Sequence, residues 1–268
     1  MFDINILLKL LRIKEHSRVS EIPWVLRLVL IFPLIFLISP QNLFSYKTIV
    51  VFLANVFLTA FIYVFNDVED AEDDYHDLKK RERNPIANGE LTKKQGYLIS
   101  FSFLFIGLSL LFTISYLVFL VGFALVSVGL AYSWKPMRLK SIPIIDIVSH
   151  AIALGVLQLS TTYLAFRSFN LQFISLLMII MPFSMGVDIL QELRDFKIDK
   201  KTKINNIVQK FGKFDPRKLL VVLSIIIITG FLIYSSTLDG NGIFLSFLTF
   251  ISAAALLRCD KFFKLHRL

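Results

Sequence analysis

The chain contains 268 residues, of which 56% are hydrophobic and only 18% are charged, and its mean hydropathy is +0.69. Soluble domains carry roughly 25% charged residues, so this composition excludes an ordinary soluble fold. The single cysteine, Cys259, and the high hydrophobic content also exclude a disulfide-stapled or disordered chain. The net charge of +9 fits the basic cytoplasmic loops of a membrane protein better than a nucleic-acid-binding surface.

Eight apolar runs, each bounded by charged or turn residues, predict eight transmembrane helices. They cover residues 23–39, 46–66, 96–113, 115–134, 143–166, 171–191, 218–236 and 242–258. Basic residues interrupt the preceding segment, residues 1–20, which we expect to be an interfacial amphipathic arm and not a signal peptide. The prediction is a single all-α domain over residues 1–268, a polytopic membrane helical bundle with eight spans, or alternatively nine.

Lysine and arginine positions predict the orientation of the bundle. All but three of the 29 basic residues fall in segments that eight spans place on one side of the membrane. Only Lys47 and Arg167 lie in the opposite loops, and Arg27 lies inside a span. Because cytoplasmic loops carry the excess of basic residues, both termini and the crowded loops are predicted to be cytoplasmic. An odd number of spans would move the basic C-terminal tail to the outer side, which favours eight.

The acidic residues concentrate in two clusters at the predicted cytoplasmic ends of the second and sixth spans. Of the 20 carboxylates, 11 belong to these clusters. The first cluster consists of Asp67, Glu69, Asp70, Glu72, Asp73, Asp74 and Asp77. The second consists of Asp188, Glu192, Asp195 and Asp199. Carboxylates beside an apolar span are costly unless a cation compensates them, so the clusters indicate a functional site.

Each cluster has helical spacing. If the spans continue as helices, oxygen ligands spaced at i, i+3 or i+4 and i+7 share one face of each helix. These ligands are Asn66, Asp67, Asp70 and Asp74 in the first cluster and Glu192, Asp195 and Asp199 in the second. All-oxygen ligands that leave room for phosphate oxygens suit Mg²⁺. A solvated acidic loop is the alternative for one cluster alone, but the same spacing at two helix ends favours metal sites.

Four segments resemble one family in the same order along the chain. Residues 66–74 read NDVEDAEDD and resemble the Asn-Asp-x-x-Asp-x-x-x-Asp signature of the UbiA-type intramembrane prenyltransferases. Residues 191–199, QELRDFKID, are similar to the family's second aspartate-rich motif. Residues 83–91, RNPIANGEL, and 132–143, YSWKPMRLKSIP, are similar to the two segments that follow the first motif. Phe211-Gly212 stands where the family usually closes its third cytoplasmic loop with Leu-Gly.

This resemblance implies an enzyme that transfers a prenyl or polyprenyl group from a prenyl diphosphate to an aromatic, carotenoid or lipid acceptor and releases diphosphate. Mg²⁺ is the implied cofactor, held by the seven oxygen ligands named above. The implied substrate-binding residues are Asn66, Arg83, Tyr132, Arg138, Lys140 and Arg194. The implied catalytic residues are Asp70, Asp195, Arg138 and Lys140. The lipid bilayer is an expected partner, whereas nucleic acid and an obligate protein partner are not expected.

Other functions are weighed against this one. Transfer of phosphoribose onto a polyprenyl phosphate occurs within the same family and stays open, because the gap from Asn66 to Gly89 resembles such members. Residues 132–146, YSWKPMRLKSIPIID, instead resemble members that prenylate carotenoids or aromatic rings. An ion-coupled transporter would place its carboxylates near the bilayer midplane and not at span ends. A phosphotransferase of the CDP-alcohol type would need a glycine and an arginine that are missing between these aspartates.

Two further groups have open roles. Asp146 and His150 are four residues apart near the start of the fifth span and could form a proton-accepting pair for the acceptor. Alternatively, Asp146 complements the positive N-terminus of its helix. Asp188, one turn before Glu192, either extends the second metal-binding face or lies inside the bundle.

Overall fold

The structure is a computed structural model that describes residues 31–202 and 216–237, together with Ile6, Lys9 and Leu10. Within these residues every regular element is helical, which confirms the predicted all-α class. The helices in chain order are α1 (Ile31–Ile38), α2 (Tyr46–Asp74), α3 (Leu78–Arg83), α4 (Lys93–Ile114), α5 (Tyr116–Ser133), α6 (Pro143–Phe166), α7 (Leu171–Thr202) and α8 (Pro216–Ser236). The middle of α6, Ala151–Leu157, is π-helical.

Six of these helices are long and apolar enough to cross a membrane: α2, α4, α5, α6, the Leu171–Leu190 part of α7 and the Lys218–Ser236 part of α8. They match the second to seventh predicted spans. Helix α1 is the described part of the first predicted span, and the eighth predicted span, residues 242–258, lies outside the described residues. The number of spans in the whole chain therefore stays a prediction.

The chain divides into two compact units, and the first comprises Met1–Arg138 and Leu157–Ser168. Helix α2 is central to this unit, since 67% of its apolar 18-residue stretch is buried. Helix α4 approaches it closely at Gly107, where an added Cβ would lie 2.5 Å from Leu58 Cδ2 and 3.2 Å from the Leu58 backbone nitrogen. Glycine permits this approach because it has no side chain. Small residues are common where membrane helices pack, since they let the helix backbones come close together.

An apolar cluster closes the end of α2 that bears the first acidic residues. Val64 and Val68 pack there with Ile86 and Leu91, from the segment between α3 and α4. Leu10, in the predicted interfacial arm, is fully buried in the same cluster. The side chain of Leu10 therefore packs against protein, and it ties the N-terminal segment to the first acidic motif.

The second unit comprises Leu139–Val156 and Phe169–Leu268, of which the structure describes the first part of α6 together with α7 and α8. Its described core contains Ile147 from α6, Ile189 and Leu193 from α7, and Leu223 from α8. In the π-helical segment, a Cβ added at Gly155 would lie 3.5 Å from the Ser184 Cβ, which is ordinary van der Waals contact between α6 and α7.

Candidate active site

The first acidic cluster lies on the last turns of α2, which continues without a break from the predicted span to Asp74. Asp67 is fully buried and Asp74 is nearly so. Asn84, in the segment after α3, donates one hydrogen bond to the Asp74 Oδ2 at 3.0 Å and another to the Asp67 carbonyl oxygen at 2.7 Å. On α5, the Ser133 hydroxyl donates to the Asn66 Oδ1 at 2.8 Å. The segment between α3 and α4 and the last residue of α5 therefore hold the motif in place.

Arg138 lies in the loop between α5 and α6 and contacts the motif directly. Its guanidinium donates to the Asp73 Oδ2 at 2.6 Å and to the Asp70 Oδ1 at 3.2 Å. The hydrogen bond to Asp73 and the nearby Asp70 raise the pKa of Arg138, so it stays charged. Arg138 is the only non-glycine residue with a positive φ in the part of the chain that the structure describes, at +37°. Such backbone strain persists only where surrounding contacts impose it, and it is common at ligand-binding sites.

Glu69 supplies one of those contacts. This side chain is nearly buried and accepts a hydrogen bond from the Tyr97 hydroxyl at 2.5 Å and another from the backbone nitrogen of Lys135 at 3.0 Å. Lys135 precedes Arg138 by three residues, so Glu69 anchors the loop that presents the arginine. No signal in the sequence pointed to this role of Glu69, because it falls at an x position of the Asn-Asp-x-x-Asp-x-x-x-Asp motif.

Glu72 is neutralised by two lysines. The ammonium groups of Lys93, in the first turn of α4, and of Lys135 both pair with its carboxylate. The hydrogen bond to Glu72 raises the pKa of Lys135, which keeps that lysine charged. Both lysines and Glu72 are well exposed, so these pairs add little stability by themselves.

The predicted metal ligands of the first cluster therefore share a helix but contact different groups. Asp70 faces Arg138, Asp74 faces Asn84, and Asn66 faces Ser133. Within the described residues, no three histidine, cysteine or carboxylate side chains are grouped closely enough to hold a metal ion. Asp70 and Asp73 lie instead against the guanidinium of Arg138.

Three other predicted substrate-binding residues lie at helix ends or in a turn. Arg83 ends α3, Tyr132 lies in the last turn of α5, and Lys140 lies in a short 3₁₀ turn, Leu139–Ser141; all three are half-buried. Lys140 belongs to the second unit. Their predicted roles at the substrate stay predictions.

The second acidic cluster lies along α7, which continues past the predicted span to Thr202. Glu192 is half-buried. Arg194, Asp195 and Asp199 lie on this helix, but their side chains are outside the described residues. The shared face of Glu192, Asp195 and Asp199 therefore stays a prediction.

Comparison with known proteins identifies the family. The family model described as the UbiA prenyltransferase family matches residues 28–267. The chain belongs to the UbiA prenyltransferase family. It is accordingly a membrane prenyltransferase, in agreement with its apolar helices. No curated protein matches the chain.

Solved structures show the same fold. A UbiA homologue from Archaeoglobus fulgidus bound to GPP and Mg²⁺ has a TM-score of 0.73 at 22% identity, covering 94% of this chain and 86% of that chain. The same homologue bound to DMAPP and Mg²⁺ has a TM-score of 0.71 at 22% identity, covering 93% and 85%. A structure concerned with digeranylgeranylglyceryl phosphate synthase has a TM-score of 0.70 at 18% identity, covering 97% and 86%.

The donor atoms of the first UbiA motif fit Mg²⁺ in their chemistry. Amide and carboxylate oxygens are the ligands that a hard cation of this size prefers. Asp70 retains some solvent access, with 17% of its side chain exposed. The Asp70 carboxylate accepts a hydrogen bond from the Arg138 guanidinium, so it already stabilises one positive charge.

His150 and Asp188 form a contact that the sequence did not predict. The His150 Nδ1 lies 2.8 Å from the Asp188 Oδ2, within the second unit. The sequence suggested Asp146 as the partner of His150, because it is four residues away on the same helix. The described contact of Asp146 here is through its backbone carbonyl oxygen, which accepts from the Ser149 hydroxyl.

Proposed function

We propose that this UbiA-family enzyme transfers the prenyl group of an allylic diphosphate, such as GPP or DMAPP, to a hydrophobic acceptor in the bilayer and releases diphosphate. The observation that carries the proposal is Arg138, held against Asp70 and Asp73 at the end of α2. A diphosphate leaving group needs both a phosphate-binding cation and oxygen ligands for a metal ion. The GPP and DMAPP complexes of the Archaeoglobus fulgidus homologue support the choice of donor.

The metal-binding role is assigned to both aspartate-rich motifs. We propose that Asn66, Asp67, Asp70 and Asp74 hold one Mg²⁺ and that Glu192, Asp195 and Asp199 hold a second. Bound Mg²⁺ would stabilise negative charge on the departing diphosphate. Asp70 and Asp195 are the ligands whose loss should matter most, since each is central to its motif.

Arg138 is proposed to bind the diphosphate itself. Its planar guanidinium can donate two parallel hydrogen bonds to phosphate oxygens. In the structure the same donors contact Asp70 and Asp73. Donor binding would therefore exchange a carboxylate contact for a phosphate contact, while Glu69 keeps the loop in place. Arg83, Tyr132, Lys140 and Arg194 are proposed to contribute further contacts to the diphosphate.

Thermal stability of the purified protein tests this proposal. A ligand present at 100 times its dissociation constant stabilises the folded state by roughly 2.7 kcal/mol. We expect GPP and Mg²⁺ together to raise the melting temperature more than either alone. Arg138→Ala should weaken the part of the melting shift that depends on GPP. The shift that Mg²⁺ produces without GPP should persist. A shift that followed Na⁺ or pH and ignored GPP would contradict the proposal and favour a transporter.

Arg81→Ala is a matched control for Arg138→Ala. Arg81 lies on α3, with its guanidinium carbon 4.4 Å from the centre of the Tyr75 ring. The change removes the same charge close to the same motif, but Arg81 is not a proposed diphosphate-binding residue. The GPP-dependent shift should therefore persist.

Mass analysis of lipids from cells with and without the active protein identifies the product. A mass gain of isoprenoid units supports prenyl transfer, whereas a gain of a pentose phosphate would replace it with phosphoribosyl transfer.

A further inference from the structure

An ionisable pair lies inside the membrane-spanning part of the second unit. His150 on α6 and Asp188 on α7 are joined by the 2.8 Å contact described above, and 26% and 17% of their side chains are exposed. Ionisable groups within membrane spans are costly, and they usually mark a substrate or proton pathway. The pair therefore indicates a function beyond packing.

The fold holds the two side chains in place from both sides. Toward the start of α6, Ile147 packs in the apolar cluster that contains Ile189, the residue after Asp188. In the other direction α6 becomes π-helical at Ala151, immediately after His150. Gly155 then brings this segment into contact with Ser184, one turn before Asp188. Short π-helical segments occur frequently at functional sites, and this one begins directly after His150.

The geometry determines which nitrogen of His150 can act as a base. A carboxylate accepts the hydrogen on Nδ1, so the neutral imidazole presents Nε2 as its basic nitrogen. The same division of roles orients the histidine in hydrolytic triads, where the carboxylate also stabilises the imidazolium that forms. Asp188 lies one helical turn before Glu192, the first residue of the second aspartate-rich motif. This spacing, about 6 Å along the helix axis, places the base near that motif.

We propose that His150 is the general base that removes the proton lost by the acceptor, with Asp188 as its positioning residue. The inference rests on the proposed prenyl transfer and specifies the acceptor class. The acceptor's nucleophilic oxygen or ring carbon forms a bond to the allylic carbon of the donor. The C–O bond to diphosphate breaks, and its electron pair leaves with diphosphate. The acceptor's proton moves to His150 Nε2.

This step selects a protonated, uncharged acceptor such as a lipid alcohol, a phenol or an aromatic ring. A polyprenyl phosphate is ionised at neutral pH and has no such proton to lose, so it would not require the base. Dependence of the transfer on His150 would therefore argue against a polyprenyl phosphate as the acceptor.

The test uses membranes that contain the full-length protein, tritium-labelled GPP and Mg²⁺, with the lipids of those membranes as acceptors. Labelled lipid reports transfer to an acceptor, and labelled prenyl alcohol reports transfer to water. General bases contribute about 100-fold to 10,000-fold, so His150→Ala should lower labelled lipid by at least about 100-fold. The melting shift with GPP and Mg²⁺ should stay unchanged. Added imidazole should restore part of the transfer, which a purely structural role of His150 would not allow.

Asp188→Asn and Ser149→Ala complete the set of variants. Asp188→Asn should lower transfer about 10-fold or more without rescue by imidazole, because the histidine still fills its site in the wrong tautomer. Ser149 neighbours His150, but its hydroxyl bonds only to the carbonyl oxygens of Ile145 and Asp146 among its described contacts. Ser149→Ala should therefore transfer as the wild type does.

The outcomes separate this inference from the proposed function. Transfer by His150→Ala within about threefold of wild type overturns the assignment of the base, as does a loss that imidazole does not restore. A loss of the GPP-dependent melting shift in His150→Ala also overturns it, because the histidine would then support donor binding. A wild-type protein that forms no labelled lipid and shows no shift with GPP contradicts the proposed function itself.

Discussion

Asp70 illustrates how much of the site depends on one carboxylate. It is a predicted metal ligand, and it also contacts the guanidinium of Arg138. Asp70→Asn removes the charge that both interactions need, so we expect turnover to fall by at least about 100-fold, the scale of losing one electrostatic contact in an active site. Asp195→Asn should have an equal effect through the second motif. Both variants should still insert into the membrane, and activity near wild type in excess Mg²⁺ would refute the two-motif site.

Asp77→Asn is the matched control for these substitutions. Asp77 belongs to the same acidic cluster, but its carboxylate accepts hydrogen bonds from the backbone nitrogens of Lys79 and Lys80 at the start of α3. Asparagine caps a helix about as well as aspartate does. The activity and the stability of Asp77→Asn should therefore stay close to wild type.

Glu69 allows a sharper test of how the Arg138 loop is positioned. Glu69→Ala removes the acceptor for the Lys135 backbone nitrogen and the Tyr97 hydroxyl, which are partly buried donors. Leaving a fully buried donor unsatisfied costs about 1–3 kcal/mol, so the cost here should not exceed that range. We expect the KM for GPP to rise about 10-fold, with a smaller change in kcat. Glu69→Gln keeps an acceptor oxygen and should recover most of the loss. An equal loss in both variants would indicate that the charge of Glu69 matters, and not its anchoring of the loop.

The spacing of the site residues could be predicted from the sequence, whereas their contact partners could not. The helical spacing of Asn66, Asp70 and Asp74 could be predicted, because a helix determines the relative directions of its own side chains. The partner of each carboxylate could not be predicted. Arg138 is 68 residues from Asp70, and this contact depends on how α5 and its following loop pack against α2. For the same reason the sequence offered only the helical neighbour Asp146 as a possible partner of His150, and it did not predict the contact of His150 with Asp188.

At the scale of the helices, hydropathy located the spans well, because a bilayer requires long apolar segments whatever their packing. The packing itself was less predictable. The π-helical segment of α6 leaves no hydropathy signal, and the approach of α4 to α2 at Gly107 depends on tertiary contacts. A glycine in a membrane helix does not by itself predict a close approach of two helices. A Cβ added at Gly186 on α7, for example, would lie 3.8 Å from its nearest neighbouring atom.

Packing of α2 against α4 can be tested by Gly107→Ala. The added Cβ would lie 2.5 Å from Leu58 Cδ2, and the nearby Leu58 backbone nitrogen limits how far the helices can adjust. Overpacking of this kind costs about 1–3 kcal/mol, so the melting temperature of the detergent-purified protein should fall. Gly186→Ala adds the same methyl group to a membrane helix without a close contact and should leave the melting temperature nearly unchanged. Equal melting temperatures for the two variants would contradict the close approach.

At the scale of the whole molecule, the predicted orientation concerns access to substrates. The proposed function requires that a charged diphosphate donor reaches the aspartate-rich motifs from water, whereas a hydrophobic acceptor can enter from the bilayer. The basic residues cluster in the segments that follow α2 and α7, which supports a cytoplasmic position for both aspartate-rich motifs. Such loops would also attract an anionic donor toward the site.

The orientation can be tested by cysteine labelling, because Cys259 is the only native cysteine. In a Cys259→Ser background, Lys264→Cys marks the C-terminal tail, and Phe169→Cys marks the loop between α6 and α7, where Phe169 is 67% exposed. With eight spans and a cytoplasmic N-terminus, a membrane-impermeant maleimide should label the Phe169→Cys protein in intact cells. The Lys264→Cys protein should be labelled only in inverted vesicles. Labelling of both variants in intact cells would place the C-terminal tail outside. The chain would then have either an odd number of spans or an N-terminus on the outer side. Either arrangement would remove the charge asymmetry that supports the predicted orientation.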